Sequence, residues 1–262
     1  MSSNKIPNII IAGFTGDRSG SMSSLGNTPS TGLKNWIDEQ KQSIKDNGQT
    51  GKMFVSCFDS YHIVRIDGEN IEDVDVTIDQ CREWMRPDSM TRLYDSAISD
   101  IDRLVKAKQD YEKNMPRSLK NLDPEILVIW ACLTDGHDNE SESTVEDFRN
   151  KVKEARSLGI KCFFLGANQD AVMTGDRYGF DTNQCLTFGA APEQSANALR
   201  SVTQVMREAS AGSSNIGFTQ LMRETSAPAS FNNYINQTPP QVSPPFSMLR
   251  APAHAHPMIP RC

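Results

Sequence analysis

Carboxylate and hydroxyl side chains follow a short apolar segment near the start of the chain. Residues 8–15 form an isoleucine-rich run that predicts a strand buried on both faces of a parallel sheet. Asp17, Ser19 and Ser21 follow it at alternate positions, and Gly20 permits a sharp turn between the two serines. Oxygen ligands of these types, at the carboxyl end of a strand, suit a hard divalent cation. The segment therefore predicts one half of a metal site.

Two further segments supply candidates for the other half. Residues 125–134 form a second apolar run that predicts a buried strand, and Asp135 and Gly136 follow it. Residues 90–95 open a strongly periodic stretch that predicts a helix and places the Thr91 hydroxyl near its start. The candidate metal ligands are therefore oxygen-bearing side chains from three separate segments: Asp17, Ser19, Ser21, Thr91 and Asp135.

Each of these side chains also has a purely structural interpretation. Ser19 and Ser21 could cap the turn or helix that follows the first strand, and Thr91 could be an ordinary helix N-cap. Asp135, which precedes a glycine, could be a turn residue. These alternatives remain open for each residue taken singly.

Three polar residues beside the candidate ligands are assigned no metal role. Asp95 lies in the first turn of a predicted helix, where the helix dipole favours a carboxylate in any case. His137 and Asp138 are interpreted as parts of a solvated loop.

The candidate residues belong to three motifs that occur in a characteristic order. The motifs are Asp-x-Ser-x-Ser at residues 17–21, Thr-x-Leu-Tyr-Asp at 91–95 and Thr-Asp-Gly at 134–136. In this order they resemble the von Willebrand factor type A (vWA) domain and its metal-ion-dependent adhesion site (MIDAS). The resemblance extends over roughly residues 7–209, and the stretch at 166–170 resembles intracellular, stand-alone members of that family.

The resemblance implies a particular arrangement of ligands. Ser19, Ser21 and, when a ligand is bound, Thr91 would contact Mg²⁺ or Mn²⁺ directly, whereas Asp17 and Asp135 would act largely through water. Three neutral hydroxyls compensate little of the charge of the metal. The cation would therefore stay electrophilic and take an Asp or Glu carboxylate from a partner protein as its last ligand.

The elements between the motifs predict an α/β fold. Helix alternates with strand through most of the chain, which is typical of a doubly wound, mostly parallel sheet with helices on both faces. Six strands are predicted: 8–15, 52–58, 61–66, 125–134, 161–165 and 185–188. Asp59 and Ser60 separate the second and third of these as in a hairpin, so one edge strand must be antiparallel. The vWA resemblance implies the same Rossmann-like sheet, with the first and fourth strands adjacent where the strand order reverses.

Apolar residues at three- to four-residue spacing predict the principal helices. They cover approximately residues 32–46, 93–111, 143–158 and the stretch that begins at Pro192, the third of them opened by the capping signature Ser143 to Glu146. Residues 23–31, rich in Ser, Gly, Asn and Pro, are predicted to form a surface loop.

Composition excludes several classes of function. The formal net charge of −6 and the pI of about 5.3 argue against a nucleic-acid-binding protein, which would present a basic face. No apolar run approaches the ~20 residues of a membrane span, and the first residues do not form a secretion signal. The six cysteines have no zinc-like spacing. We therefore expect a cytoplasmic protein with reduced thiols and no membrane contact.

The last part of the chain differs in character from the rest. Of the 14 prolines, 8 lie between Pro228 and Pro260, and charged residues become rare. Such a composition buries too little apolar surface to offset chain entropy. The sequence thus predicts a vWA domain at residues 1–209 and a disordered tail at residues 210–262.

A binding function is favoured over catalysis. The sequence contains no Walker motif, no Gly-x-Gly-x-x-Gly and no Gly-x-Ser-x-Gly frame around Ser19 or Ser21. We therefore interpret the chain as a non-enzymatic, Mg²⁺-dependent protein-binding or adaptor module. The alternatives are a Mg²⁺-dependent hydrolase or phosphotransfer enzyme that uses the same cleft, and a structural assembly component that acts through its tail.

Overall fold

A computed structural model describes residues 8–115, 125–214 and 216–227. Its strands are β1 Ile9–Asp17, β2 Thr50–Phe58, β3 His62–Asn70, β4 Ile126–Thr134, β5 Lys161–Ala167 and β6 Cys185–Phe188. Its helices are α1 Thr28–Asn47, α2 Ile78–Trp84, α3 Leu93–Asn114, α4 Val145–Ser157, α5 Ala171–Arg177, α6 Pro192–Ser210 and α7 Gln220–Ser226. Short 3₁₀ helices occupy Gly20–Leu25, Ile71–Asp73 and Thr182–Gln184.

The strands form one six-stranded sheet in the order β3-β2-β1-β4-β5-β6. β1 lies parallel to both β2 and β4, and β5 and β6 continue the parallel set. Only β3, at one edge, is antiparallel, and it pairs with β2. The predicted fold class is therefore confirmed, and the strand order reverses between β1 and β4.

Each face of the sheet is covered by its own apolar core. Ile10 and Phe14 of β1 belong to the core under α1 and α6, whereas Ile11 of the same strand belongs to the core under α3 and α4. The alternation follows from the period of two residues of a β-strand. It also explains why the whole of β1 is buried and reads as a continuous apolar run.

Helix α3 packs directly on β1 at Gly13, where the absence of a side chain makes room for Leu104. A Cβ atom added at Gly13 would lie only 2.8 Å from Leu104 Cδ1 of α3. Lower down the same interface, buried Asp100 of α3 accepts hydrogen bonds from Thr15 Oγ1 (2.6 Å) and from Ser56 Oγ. Trp130 Nε1 of β4 donates to Thr15 Oγ1 at 2.8 Å. These contacts hold α3, and with it the preceding segment that carries Thr91, against the central strands.

Two local predictions were wrong. Residues 23–31 were predicted as a surface loop, but Met22 and Leu25 are 1% and 4% exposed in a 3₁₀ helix, and α1 already begins at Thr28. Two apolar anchors here outweigh the loop-like composition around them. The capping box of α4 consists of Thr144 and Asp147, one residue after the predicted signature.

The packed structure extends past the predicted boundary at residue 209. That residue lies inside α6, and the following segment returns to the sheet through α7. The rings of Phe218 and Phe163 lie 5.8 Å apart, and Arg223 donates to the Cys185 carbonyl at 2.7 Å. The domain therefore includes the described residues up to Ala227. The rest of the predicted disordered tail, residues 228–262, lies outside the described residues.

Two further properties of the described residues bear on function. None of their helices is long and apolar enough to cross a membrane. The five cysteines that the structure describes are all buried, and none of them forms a disulfide: Cys57, Cys81, Cys132, Cys162 and Cys185.

Candidate metal centre

The candidate residues lie at the carboxyl ends of β1 and β4, where the strand order reverses. Chain segments on either side of such a reversal diverge, which leaves a crevice at the edge of the sheet. The segment after β1 contributes Asp17, Ser19 and Ser21, and the segment after β4 contributes Asp135. The segment that leads into α3 contributes Thr91.

Asp17 is the innermost carboxylate and has no exposed surface. Its Oδ1 accepts a hydrogen bond from the Ser19 amide at 2.7 Å, and its Oδ2 accepts one from Thr134 Oγ1 at 2.5 Å. Burial raises the pKa of Asp17 to about 6, and the Asp135 charge acts in the same direction, while the hydrogen bonds from Thr134 and Ser19 oppose the shift. Thr134 is a member of the Thr-Asp-Gly motif whose role the sequence reasoning missed.

Ser19, Ser21 and Asp135 form a continuous chain of oxygen atoms. The two serine Oγ atoms are hydrogen bonded at 3.1 Å, and Ser21 Oγ donates to Asp135 Oδ1 at 2.7 Å. Ser19 is buried, whereas Ser21 is exposed. Burial raises the pKa of Asp135 as well, and the hydrogen bond from Ser21 opposes that shift. The oxygen chain thus extends from the interior to the surface.

The Thr91 hydroxyl lies near these oxygen atoms, on the other side of Gly136. A Cβ atom added at Gly136 would lie 3.6 Å from Thr91 Oγ1 and 3.7 Å from Ser21 Oγ. Both hydroxyls therefore border the same small space, which a larger residue at 136 would fill. The structure brings all five predicted side chains to one end of the sheet.

The character of this cluster suits a hard cation. The described residues contain no group of three or more His, Cys, Asp or Glu side chains that could hold a metal ion. The cluster offers instead two carboxylates with raised pKa values and three hydroxyls, and basic side chains are not among the strongest influences on either carboxyl group. A divalent cation would supply the missing positive charge, and Mg²⁺ and Mn²⁺ accept oxygen ligands of these kinds. The residues present therefore fit such an ion.

Solved structures share this architecture, although no protein-family model and no curated protein matches the sequence. The pilus adhesin SpaC from Lactobacillus rhamnosus GG, in its open conformation, aligns over 79% of this chain and 31% of its own, with 14% identity and a TM-score of 0.53. The vWF domain of the type V pili tip protein Mfa5 from Porphyromonas gingivalis aligns over 78% of this chain and 97% of its own, with 9% identity and a TM-score of 0.52. The chain has the von Willebrand factor type A fold.

A mussel protein also aligns with this vWA fold. Proximal thread matrix protein 1 from the mussel byssus, in a structure with a zinc-occupied MIDAS motif, matches 77% of this chain with 15% identity and a TM-score of 0.47. The chain spans 46% of that structure and 47% of another structure of the same protein.

Within this vWA fold, the loop after β4 holds Thr91 in place. The Thr91 amide donates to Asn139 Oδ1 at 2.8 Å, and the Asn139 amide donates back to the Thr91 carbonyl at 3.0 Å. Asp138 Oδ2 accepts from the Tyr94 amide at 3.0 Å and from Ser141 Oγ at 2.6 Å. Asp138 therefore lies in a loop, as predicted, but its carboxylate is half-buried and hydrogen bonded rather than solvated. The amides at a helix start lack partners within the helix, and this loop supplies them.

Asp95 strengthens the same contact from the helix side. Its carboxylate accepts from the amides of Glu142 (2.9 Å) and Ser143 (3.0 Å) and from Arg92 Nε (2.8 Å). Burial alone would raise the pKa of Asp95, but these hydrogen bonds outweigh it and lower the pKa. The bonds that the structure gives this carboxylate therefore join α3 to the loop after β4. No local pattern in the sequence singles out Asn139 or Ser141 for this role.

Proposed function

We propose that this protein is a metal-dependent protein-binding module. In this proposal one Mg²⁺ or Mn²⁺ occupies the candidate centre, and an Asp or Glu side chain of a partner protein completes its coordination. The observation that carries the proposal is the convergence of five oxygen-bearing side chains from three separate segments on the crevice between β1 and β4.

Each side chain has a role in this proposal that follows from its position. Ser19, Ser21 and Thr91 hold the cation through their hydroxyls, and Asp17 and Asp135 balance its charge. Thr134 and the Ser19 amide orient the Asp17 carboxylate, which therefore does not rotate freely. The bound cation supplies a Lewis-acidic position toward solvent. The exposure of Ser21 supports an approach of the partner from that side.

A protein partner is supported by the fold and by the chemistry. Two structural neighbours with TM-scores above 0.5 are a pilus adhesin and a pilus tip domain, and at this low sequence identity they share the fold alone with this chain. Hydroxyl ligands leave the cation short of negative charge, so a carboxylate binds it more favourably than an amide does. We propose binding without catalysis, in a cytoplasmic setting.

Titration calorimetry with Mg²⁺ and Mn²⁺ tests the metal centre. The wild-type chain should bind one cation, and Asp17→Ala and Asp135→Ala should each abolish most of the binding. Asp102→Ala is the matched control, because Asp102 is an exposed carboxylate of α3 that pairs with Lys151 at 2.9 Å. Its affinity for the metal should equal that of the wild type. Undiminished binding in both Asp17→Ala and Asp135→Ala would place the metal elsewhere.

Affinity purification with and without EDTA tests the partner. Capture of the partner should require the cation and should fall with Thr91→Ala, while the melting temperature stays nearly unchanged. Replacing the critical Asp or Glu of the partner by its amide should have the same effect. A complex that survives both EDTA and Thr91→Ala would favour a structural role through the tail. Turnover of a phosphate or peptide substrate that Asp17→Ala abolishes would favour an enzyme.

A further inference from the structure

One turn beside the candidate centre contributes no candidate ligand but contacts two of the segments that do. It follows β2 and contains Asp59, which is only 4% exposed. Asp59 Oδ2 lies 3.2 Å from Arg18 Nε, and the Asp59 carbonyl accepts a hydrogen bond from the Arg92 amide at 2.8 Å. Asp59 Oδ1 accepts from the Tyr61 amide at 2.8 Å, which gives the turn its shape.

Arg18 makes the reciprocal contacts from the segment after β1. It is 7% exposed and lies between Asp17 and Ser19 in the chain. Its amide donates to the Phe58 carbonyl at 2.8 Å, and its carbonyl accepts from the Asp88 amide at 2.7 Å. Its guanidinium group also lies 3.7 Å from Asp88 Oδ2.

A direct backbone bond completes the connection between the two ligand segments. The Gly20 amide, between Ser19 and Ser21, donates to the Ser89 carbonyl at 3.0 Å. The segment that carries the two serines and the segment that carries Thr91 are therefore bound to each other and to the Asp59 turn. The loop after β4 also contacts Thr91, through the hydrogen bond from the Thr91 amide to Asn139 Oδ1.

We propose that Arg18 and Asp59 are positioning residues that hold Ser19 and Ser21 at the correct distance from Thr91. The inference rests on the proposed metal centre. Metal ligands must be placed within about 0.5 Å of the productive geometry, and outer partners of the ligands provide that precision. A buried ion pair that joins two loops suits this task, because separating the two groups would leave each charge buried without its compensating partner.

A simple electrostatic effect is the competing explanation, and the two explanations predict different signs. If only charge mattered, Arg18→Met would strengthen cation binding, Asp59→Asn would weaken it, and the double variant would leave it unchanged. If the pair positions the ligands, all three variants weaken binding. Asp59→Asn retains the side-chain oxygen that accepts from the Tyr61 amide, so the turn itself is preserved.

The chain offers a control pair with the same local geometry, although its side chains are 35% and 41% exposed, against 9% and 5% for Arg18 and Asp59. Arg156 Nη2 lies 3.3 Å from Asp181 Oδ2, and Asp181 Oδ1 accepts from the Asn183 amide two residues later, as Asp59 does from Tyr61. This pair adjoins the amino ends of β5 and β6. The candidate centre lies at the carboxyl ends of the parallel strands, so the control pair is at the other end of the sheet. The double variant Arg156→Met/Asp181→Asn removes the same groups without touching the ligand segments.

Calorimetry with Mn²⁺ on the full chain provides the decisive measurement. We expect Arg18→Met/Asp59→Asn to lose about 10–100-fold in Mn²⁺ affinity, and we expect the control double variant to match the wild type. Arg18→Lys keeps the charge but not the reach of the guanidinium group, so it should also weaken Mn²⁺ binding. If the double variant does not fold, Arg18→Lys replaces it in the measurement. Unchanged affinity in folded Arg18→Met/Asp59→Asn or in Arg18→Lys would overturn the inference.

Hydrogen exchange without metal separates this inference from the proposed function. The amides of Gly20 and Arg92 should exchange faster in Arg18→Met/Asp59→Asn than in the wild type, because their acceptors, the carbonyls of Ser89 and Asp59, lie on the segments that the ion pair no longer joins. If Arg18→Lys replaces the double variant, the same increase is expected there. Equal exchange at both amides would refute the positioning role whether or not the metal binds. If the wild type bound no cation while the exchange changed as expected, the metal-binding function would fail and the structural junction would stand.

Discussion

Two polar clusters lie on the same sheet, and both are built from an aspartate with serine and threonine hydroxyls. In the first, Asp100 accepts from Thr15 and Ser56 on one oxygen, and its other oxygen contacts Arg103 Nη1 at 2.7 Å and His62 Nε2 at 3.0 Å. In the second, Asp17 and Asp135 receive hydrogen bonds from hydroxyl and backbone groups.

The difference between the clusters concerns how their charge is balanced. The Asp100 cluster contains its own guanidinium group, and both carboxylate oxygens are fully engaged. The Asp17 cluster places a buried carboxylate beside the half-buried carboxylate of Asp135, and desolvation raises the pKa of both. Similar residue types therefore make a complete structural network in one place and an incomplete site that fits a cation in the other.

The largest effect is expected for Asp100→Ala. It leaves the buried hydroxyls of Thr15 and Ser56 without their acceptor and removes one of the partners of half-buried Arg103, which should cost about 3–5 kcal/mol of unfolding free energy. Denaturant unfolding with and without Mg²⁺ measures it, and the loss should be nearly the same in both conditions. A loss that Mg²⁺ restores would mean that the two clusters are not independent.

An intermediate effect is expected when a cation is added to the wild type. A ligand that binds only the folded state stabilises it by about 2.7 kcal/mol at roughly 100 times its dissociation constant. Thermal unfolding with MgCl₂ should therefore shift upward by several degrees, and EDTA should reverse the shift. Asp17→Asn removes the inner charge and should abolish the response. A wild-type melting temperature indifferent to Mg²⁺ and Mn²⁺ would contradict the proposed deficit of positive charge.

The smallest effects are expected for a matched pair of threonine substitutions. Thr134→Val removes the hydroxyl that donates to Asp17, and Thr15→Val removes the one that donates to Asp100. Each should lower the unfolding free energy by about 1–2 kcal/mol, because a hydrogen bond to a buried carboxylate is lost. Only Thr134→Val should weaken Mn²⁺ binding, by about tenfold. Equal Mn²⁺ affinity in the two variants would remove the distinction between the clusters.

The candidate centre could be predicted from the sequence because most of its polar residues directly follow apolar strand-like runs in the chain. Asp17, Ser19 and Ser21 follow a continuous apolar run, and Asp135 follows another. Two such runs predict adjacent buried strands whose carboxyl ends share one edge of a sheet. Whether these residues hold a metal stays a prediction. The fold class is confirmed, including the antiparallel hairpin edge that β2 and β3 form.

The residues that the sequence reasoning missed act over long distances along the chain. Asp59 contacts Arg18 and Arg92, and Asp138 contacts Tyr94. None of these pairs has a periodic or motif-like signature. The segment that contains α7 was missed for a related reason, because its anchors, Phe218 and Arg223, stand in a region whose composition resembles a linker.

The sequence by itself determined which segments are buried strands and which polar side chains stand at their ends. Hydrophobic periodicity and turn chemistry are properties of neighbouring residues, so they can be read without the fold. Only the tertiary structure decided that the Asp59 turn joins two ligand segments, and that Asp100 pairs with Arg103 while Asp17 has no basic partner among the described residues. These outcomes depend on which distant loops and helices meet when the sheet closes, because the charge balance of a buried carboxylate is set by its neighbours in space.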